Sequence, residues 1–234
     1  MDSDSATPFG TFPAFHERNG ELSLSDIARV QLAAALRSLM AEVFTSNAGA
    51  SEIDALALQI LQELKTLKNA PQVDGTAASE SHFSDRSPIY GAMNPLSMPM
   101  KMGQVDGGGE FGSVTGEAVF TELYEGPPGH CHGGFIAAAF DEVLGMAQSL
   151  TGRPGMTGKL NITYRAPTPL NTPIHFVGWV EKVDGRKIFT KGTAHHGEIL
   201  CAESDALFLS MPEELMERLR KGRDLKDSAT AQSD

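Results

Sequence analysis

Two adjacent acids interrupt an otherwise apolar run. Residues 133–147 read Gly-Gly-Phe-Ile-Ala-Ala-Ala-Phe-Asp-Glu-Val-Leu-Gly-Met-Ala, and Asp141 and Glu142 are the only charges in it. A carboxylate in such surroundings loses solvation, so it needs a partner or a chemical reason to be there, and catalytic bases are one such reason. The run alone leaves two readings open, a catalytic acid or an acid that simply reaches solvent. The stretch before it, Glu125-Gly126-Pro127-Pro128-Gly129-His130-Cys131-His132-Gly133-Gly134, makes a rigid turn that delivers two glycines to a helix start. Backbone N–H groups left free there, with the helix dipole behind them, form a site for an oxyanion or anion. At about 1.5 Å and 100° per residue, His132 and Asp141 are up to roughly 13 Å apart on nearly opposite faces. One helix therefore does not offer both to the same carbonyl. Two antiparallel copies, one from each of two chains, do, and a site shared in this way implies an obligate dimer.

Other chemistries fit the residues less well. His130, Cys131 and His132 are adjacent and point different ways, and no second His, Cys or carboxylate set at ligand spacing accompanies them, so no metal is expected. Cys131 has no base at a recognisable spacing and reads as a small packed residue, while His195-His196 falls at a hairpin tip. Cys131 and Cys201 are the only cysteines, far apart and without a Cys-x-x-Cys pair, so neither a disulfide framework nor a cysteine-rich zinc site is indicated. That usage fits a reducing cytoplasm.

The elements that must position these groups follow from periodicity. Val114, Gly116, Ala118 and Phe120 alternate as a strand, and the helix then runs from Gly133 to about Leu150. Strand follows strand after that: Leu160 to Tyr164, Ile174 to Val180, a turn at Asp184-Gly185, Ile188 to Ala194, a turn at His196-Gly197, and Leu200 to Leu209. Upstream, Ile27, Val30, Ala34, Leu39 and Val43 predict a helix from Ser25 to about Phe44. A second helix is expected with Ser51 as its N-cap and Ile53, Leu56, Ile60, Leu64 and Leu67 along one face. Such a hairpin cannot bury both apolar faces alone and must pack on the main domain or on a partner.

The expected organisation is an extended arm over 1–22, a helical hairpin over 23–70, a Pro- and Gly-rich linker over 71–109, the main domain over 110–211, and a short helix with a disordered tail over 212–234. The Met-rich stretch Leu96–Met102 is read as edge-strand or core packing rather than an acyl channel. The chain has 234 residues, 41% hydrophobic and 21% charged, as in ordinary globular proteins. A formal charge of −11 disfavours general affinity for nucleic acid or anionic membrane, so an anionic ligand must meet a local basic patch. The acidic amino terminus lacks the features of an export signal, and no stretch of about 18 apolar residues marks a membrane span.

The strand, helix, four-strand order, with Pro-Pro-Gly-x-x-His-Gly-Gly opening the helix and Asp141 nine residues after His132, resembles the hot-dog acyl-CoA thioesterases of the PaaI-like branch, including the carboxy-terminal modulator type. The likeness covers about residues 94–211. It rests on His132-Gly133-Gly134, Asp141, the stretch Met156–Leu170 and Gly185-Arg186-Lys187 together. It implies an α+β fold, an antiparallel sheet wrapped round a central helix, in a homodimer or homotetramer. It further implies that Asp141 is the general base or nucleophile, that the Gly133 amide polarises the thioester carbonyl, that His132 orients the site, and that Thr157 positions water or Asp141. Contacts to coenzyme A fall by the same resemblance at Gly134, Asn161, Thr163, Arg165, Arg186 and Lys187. No separate cofactor is expected, since CoA is part of the substrate. Two other classes stay open on these residues: a non-catalytic acyl-CoA-binding module, and a dehydratase or hydratase acting on a thioester-linked chain.

Overall fold

The structure, a computed structural model, describes residues 22–70, 84–98, 100–153 and 155–211. The readings made for residues 1–21, for 71–83 and for the helix and tail over 212–234 lie outside these described residues.

Six antiparallel strands form one sheet: β1 (Lys101–Val105), β2 (Ser113–Val119), β3 (Gly155–Tyr164), β4 (Pro173–Asp184), β5 (Lys187–His196) and β6 (Ile199–Ser210), in the order β1-β2-β4-β5-β6-β3. Hairpin turns at Gly185 (φ 59°) and Gly197 (φ 55°) join β4 to β5 and β5 to β6, in a left-handed conformation that glycine adopts without strain. A helix, Gly133–Ser149, crosses the concave face, giving the α+β hot-dog arrangement. Its covered side, Ile136, Ala139, Phe140, Val143, Leu144 and Ala147, is buried against the sheet. Edge-to-face rings continue the core outward, Phe140 to Phe176 at 5.2 Å, Phe176 to Phe120 at 6.4 Å, Phe120 to Tyr124 at 6.0 Å and Tyr124 to Phe135 at 5.0 Å. These contacts tie the sheet centre to the start of the helix.

The helix lies close to the sheet because glycine sits beneath it. Gly178 and Gly192 are cross-strand partners under Leu144, and a Cβ on Gly192 would meet the Val177 carbonyl oxygen at 2.8 Å and Phe140 Cε1 at 3.3 Å. Backbone cannot yield as a side chain can. Gly192→Ala is expected to destabilise the fold by about 1–3 kcal/mol, read as a lower urea midpoint at unchanged slope.

Two expectations are corrected here. The segment read as linker over 71–109 contributes β1, paired with β2 from Lys101↔Glu117 to Val105↔Ser113; β1 is an edge strand and Met98 and Met100 enter the core, as the reading of Leu96–Met102 expects. Prolines and glycines on either side hide a strand of five residues. Upstream, α1 (Leu24–Thr45) and α2 (Ala50–Asn69) form as the periodicity predicts, but α2 is capped by Gly49, whose N–H donates to Glu52 Oε2 at 2.8 Å, and not by Ser51. Ser51 lies inside the helix because Glu52 closes the capping box onto Gly49, two residues earlier. The central helix is designated α3. Helix α1 docks on the domain through buried Ala33 and through Arg37, whose Nη1 donates to Asn94 O at 2.8 Å. No residue of α2 is buried.

Candidate active site

The loop that starts α3 is fastened along its length. His132 N–H donates to Tyr124 O at 2.8 Å, Cys131 N–H to Thr168 O at 2.8 Å and Leu170 N–H to Gly129 O at 3.2 Å. Gly129, at φ 74°, donates its N–H to Glu125 Oε1 at 2.6 Å. His132 is the N-cap of α3, and its Nδ1 accepts from Gly134 N–H at 3.0 Å. An accepting Nδ1 leaves the ring proton on Nε2. Phe135 holds the imidazole edge-on at 6.3 Å.

This cap divides the first two amides of the helix. Gly134 N–H is spent on His132, whereas Gly133 N–H has no acceptor among the described residues. Behind it, the Tyr164 hydroxyl donates to Gly133 O at 2.8 Å, and a Cβ on residue 133 would lie within 2.8 Å of that hydroxyl oxygen. A side chain at 133 would therefore push the Tyr164 hydroxyl off the Gly133 carbonyl. Gly133, Ile136, Tyr164, Arg165, His130 and Pro127 line a cleft of about 410 Å³ in front of the amide. Cys131 borders the same cleft, but burial pushes its thiol up to about 12, which keeps it protonated and unreactive.

Asp141 occupies the opposite half of α3. Its Oδ1 accepts from the Thr157 hydroxyl at 2.8 Å, and both residues remain accessible to solvent in the single chain. A bulge in β3 makes that contact possible. The register against β6 slips between Thr157 and Lys159, with Gly158 the extra residue, so that Thr157 shares the helix-facing side with Leu160, Ile162 and Tyr164. Without the bulge, strand alternation would turn Thr157 to the outer face.

Glu142, one position on, turns inward. Ser87 Oγ lies 3.4 Å from its Oε1. Burial, reinforced by the charge of Asp141, pushes the Glu142 carboxyl from 4.5 up to about 7, against the smaller lowering by Ser87. Both acids of the run are half-buried as residues, but Asp141 holds a hydroxyl partner whereas the Glu142 carboxyl is the one that burial desolvates.

Residues 128–202, which hold the α3 cap, Asp141 and Thr157, match the thioesterase superfamily. This segment is a thioesterase-superfamily domain. The chain is similar to the acyl-coenzyme A thioesterase THEM4 of Xenopus laevis, 37% identical over 89 residues that make up 37% of this chain and 40% of that protein. It is also similar to THEM4 of Mus musculus, 36% identical over 92 residues, 38% of this chain and 40% of that protein. The chain thus spans about two fifths of the length of these curated relatives. A solved crystal structure of a thioesterase superfamily protein superposes with a TM-score of 0.69 at 29% identity, covering 83% of this chain and 98% of that one. An overlap of that size reaches beyond residues 94–211 into the upstream part of the chain.

The remaining sequence-predicted residues of the thioesterase domain are scattered. Asn161 and Thr163 project from the outer face of the sheet, where Asn161 Nδ2 donates to Asp205 Oδ2 at 2.7 Å and Thr163 borders a groove with Trp179, Lys191, Glu203 and Asp205. They are not gathered with Asp141 within the chain. Arg165 reaches the Gly133 cleft, but its Nε and Nη2 both donate to Glu203 Oε2, at 3.0 and 2.7 Å. Arg186 Nε donates to Ser210 O at 3.0 Å, and Lys187 opens β5 beside it. Sequence reasoning missed the roles of Tyr164, which fixes Gly133, and of Ser87, which meets Glu142. Tyr164 had a signal in Gly158, since a glycine inside a strand pattern marks a bulge that brings Thr157 and Tyr164 to one face. Ser87 had none, being 55 residues from its partner.

Proposed function

We propose that this chain hydrolyses acyl-CoA thioesters to the free acid and CoA, in a homodimer that completes each site with residues from both chains. The observation that carries this reading is the Asp141 carboxylate, held at 2.8 Å by the Thr157 hydroxyl on a solvent-accessible part of α3. Asp141 takes a proton from water, and the resulting hydroxide bonds to the thioester carbonyl carbon; alternatively the carboxylate attacks that carbon itself and water later releases the acid. The Gly133 N–H at the positive end of α3 accepts the charge that forms on the carbonyl oxygen. In the first route, breakage of the carbon–sulfur bond expels the CoA sulfur, which takes the proton that Asp141 gained; in the second, CoA leaves as the thiolate and is protonated from solvent, and water then cleaves the anhydride to give the acid and the free Asp141 carboxyl. The relatives' names as acyl-coenzyme A thioesterases support the substrate class.

Pairing follows from what one chain leaves open. Gly134, Ala137, Ala138, Asp141 and Gly145 lie on the side of α3 that the sheet does not bury, and all but the acid are small. Strand β3 is an edge of the sheet, with one side unpaired. A two-fold axis beside α3 and β3 would pair β3 with its own copy and bring Gly133 of one chain toward Asp141 of the other. Arg165, Arg186 and Lys187 are the cations we assign to the nucleotide phosphates; at Arg165 the nucleotide competes with Glu203.

The test is thiol release from short, medium and long acyl-CoAs. Release that follows chain length supports hydrolysis and ranks the substrates; binding without release from any of them would move the assignment to a binding module. Thr157→Val keeps the shape and removes the hydroxyl that orients Asp141. It is expected to lower kcat about 10-fold or more, the loss of one hydrogen bond to a charged group, with little change in KM and with recovery in Thr157→Ser.

A further inference from the structure

Among the described residues, none buries the apolar stripe of the α2 helix. Ile53, Leu56, Ile60, Leu64 and Leu67 are exposed by 52, 40, 41, 41 and 56%. At 100° per residue these five fall within about 40° of one line along the helix, and the far side carries Ser51, Gln62, Lys65 and Asn69 with only Leu58 among large apolar residues. Helix α1 spends part of its surface on the domain, whereas α2 buries no residue at all.

The stripe is symmetric about Ile60. Leu56 and Leu64 stand four residues to either side of it, Ile53 and Leu67 seven. A helix laid antiparallel on its own copy with the axis at Ile60 therefore sets Ile60 on Ile60, Leu56 on Leu64 and Ile53 on Leu67, at two places each. That is the self-complementarity a two-fold interface demands. The charges at the two ends agree: Glu52 and Asp54 lie in the first turns and Lys68 in the last, with Glu63 a turn before it. Antiparallel pairing brings each acidic start to a basic end, and parallel pairing sets like charges on like.

We infer that α2 is a docking helix for a second copy of this chain, paired antiparallel about Ile60. The contact is separate from the α3 and β3 pairing proposed above and depends on no part of the thioester chemistry, so the failure of either leaves the other standing. It also accounts for α1 being docked on the domain while α2, among the described residues, is not.

Site-directed crosslinking of the full chain with a short bis-maleimide tests it, since Cys131 and Cys201 are both buried. Ile60→Cys is expected to give a crosslinked chain dimer, and Gln62→Cys, close to the axis but on the far side, is not. A chain carrying Ile53→Cys and Leu67→Cys together is expected to crosslink while neither single variant does, because like positions lie about 20 Å apart in the antiparallel pair. Adding Ile60→Lys to that double variant, which sets two like charges on the axis, is expected to abolish the crosslink with helix content unchanged by circular dichroism. Equal crosslinking at 60 and 62, or none at 60, would overturn the inference, as would crosslinking of Ile53→Cys alone, which marks a parallel pair.

Discussion

Asp141→Asn is expected to slow thiol release from acyl-CoA by about 10²–10⁴-fold, the usual worth of a positioned general base. Asn has the shape of Asp, and its Oδ1 can still accept the Thr157 hydroxyl that now lies at 2.8 Å, so the geometry of the site survives. What is lost is the ability to take a proton from water or to form an acyl bond through a carboxylate oxygen. The loss should therefore appear in kcat, with KM for the acyl-CoA near its original value. Wild-type and variant protein assayed side by side on the best acyl-CoA measure it. A variant that retains most of the original kcat would remove Asp141 from the chemistry and leave the adjacent Glu142 as the acid to examine. Thr157→Val, with the carboxylate present but unheld, should fall between the two.

That prediction depends on a pair of which one half, Asp141, was legible in the apolar run and the other, Thr157, through the family resemblance. An apolar run with two acids is local information, and the helix it predicts, Gly133 to about Leu150, is observed as Gly133–Ser149. The strands β2 to β6 were legible for the same reason, since alternation and Gly turns are written within a few residues. Strand β1 was not. Its five residues include Gly103 and follow a segment rich in proline, so local propensity argues for a loop, and its pairing with β2 decides otherwise.

The site divides along the same line. The candidate residues at or on one element, His132, Gly133 and Asp141 of α3, were named from sequence, and the roles we propose for them are those that the resemblance implies. Gly134 was named as a substrate contact, but its amide caps to His132 Nδ1, a hydrogen bond that depends on the ring's rotamer rather than on residue order. The surroundings of the residues proposed to meet phosphate required knowledge of which face each side chain takes and which neighbour it meets. Arg165 was visible as a cation, whereas Glu203, its partner across the β3 and β6 ladder, is 38 residues away. Asn161 and Asp205 face each other in the same ladder, at a separation no motif encodes.

Glu142 gives the second large effect, and its sign is opposite to that of a salt-bridged acid. Burial raises its carboxyl from 4.5 to about 7, with the charge of Asp141 adding to the rise. A group whose folded value is raised binds its proton more tightly in the folded chain, so folding is favoured as pH falls from about 7 toward 4.5 and the ionised form opposes folding above about 7. Glu142→Gln removes that ionisation and keeps an oxygen for the Ser87 hydroxyl. It is expected to stabilise the protein at pH 8 by up to about 3 kcal/mol, the worth of a shift of this size, and to have little effect near pH 4. Urea unfolding of both proteins at the two pH values measures the difference. Glu142→Gln combined with Asp141→Asn should gain less than the sum of the two, since each relieves the same repulsion. A destabilised Glu142→Gln at pH 8 would mean that the ionised carboxylate has a cationic partner in the assembled protein, and would turn attention to which chain supplies it.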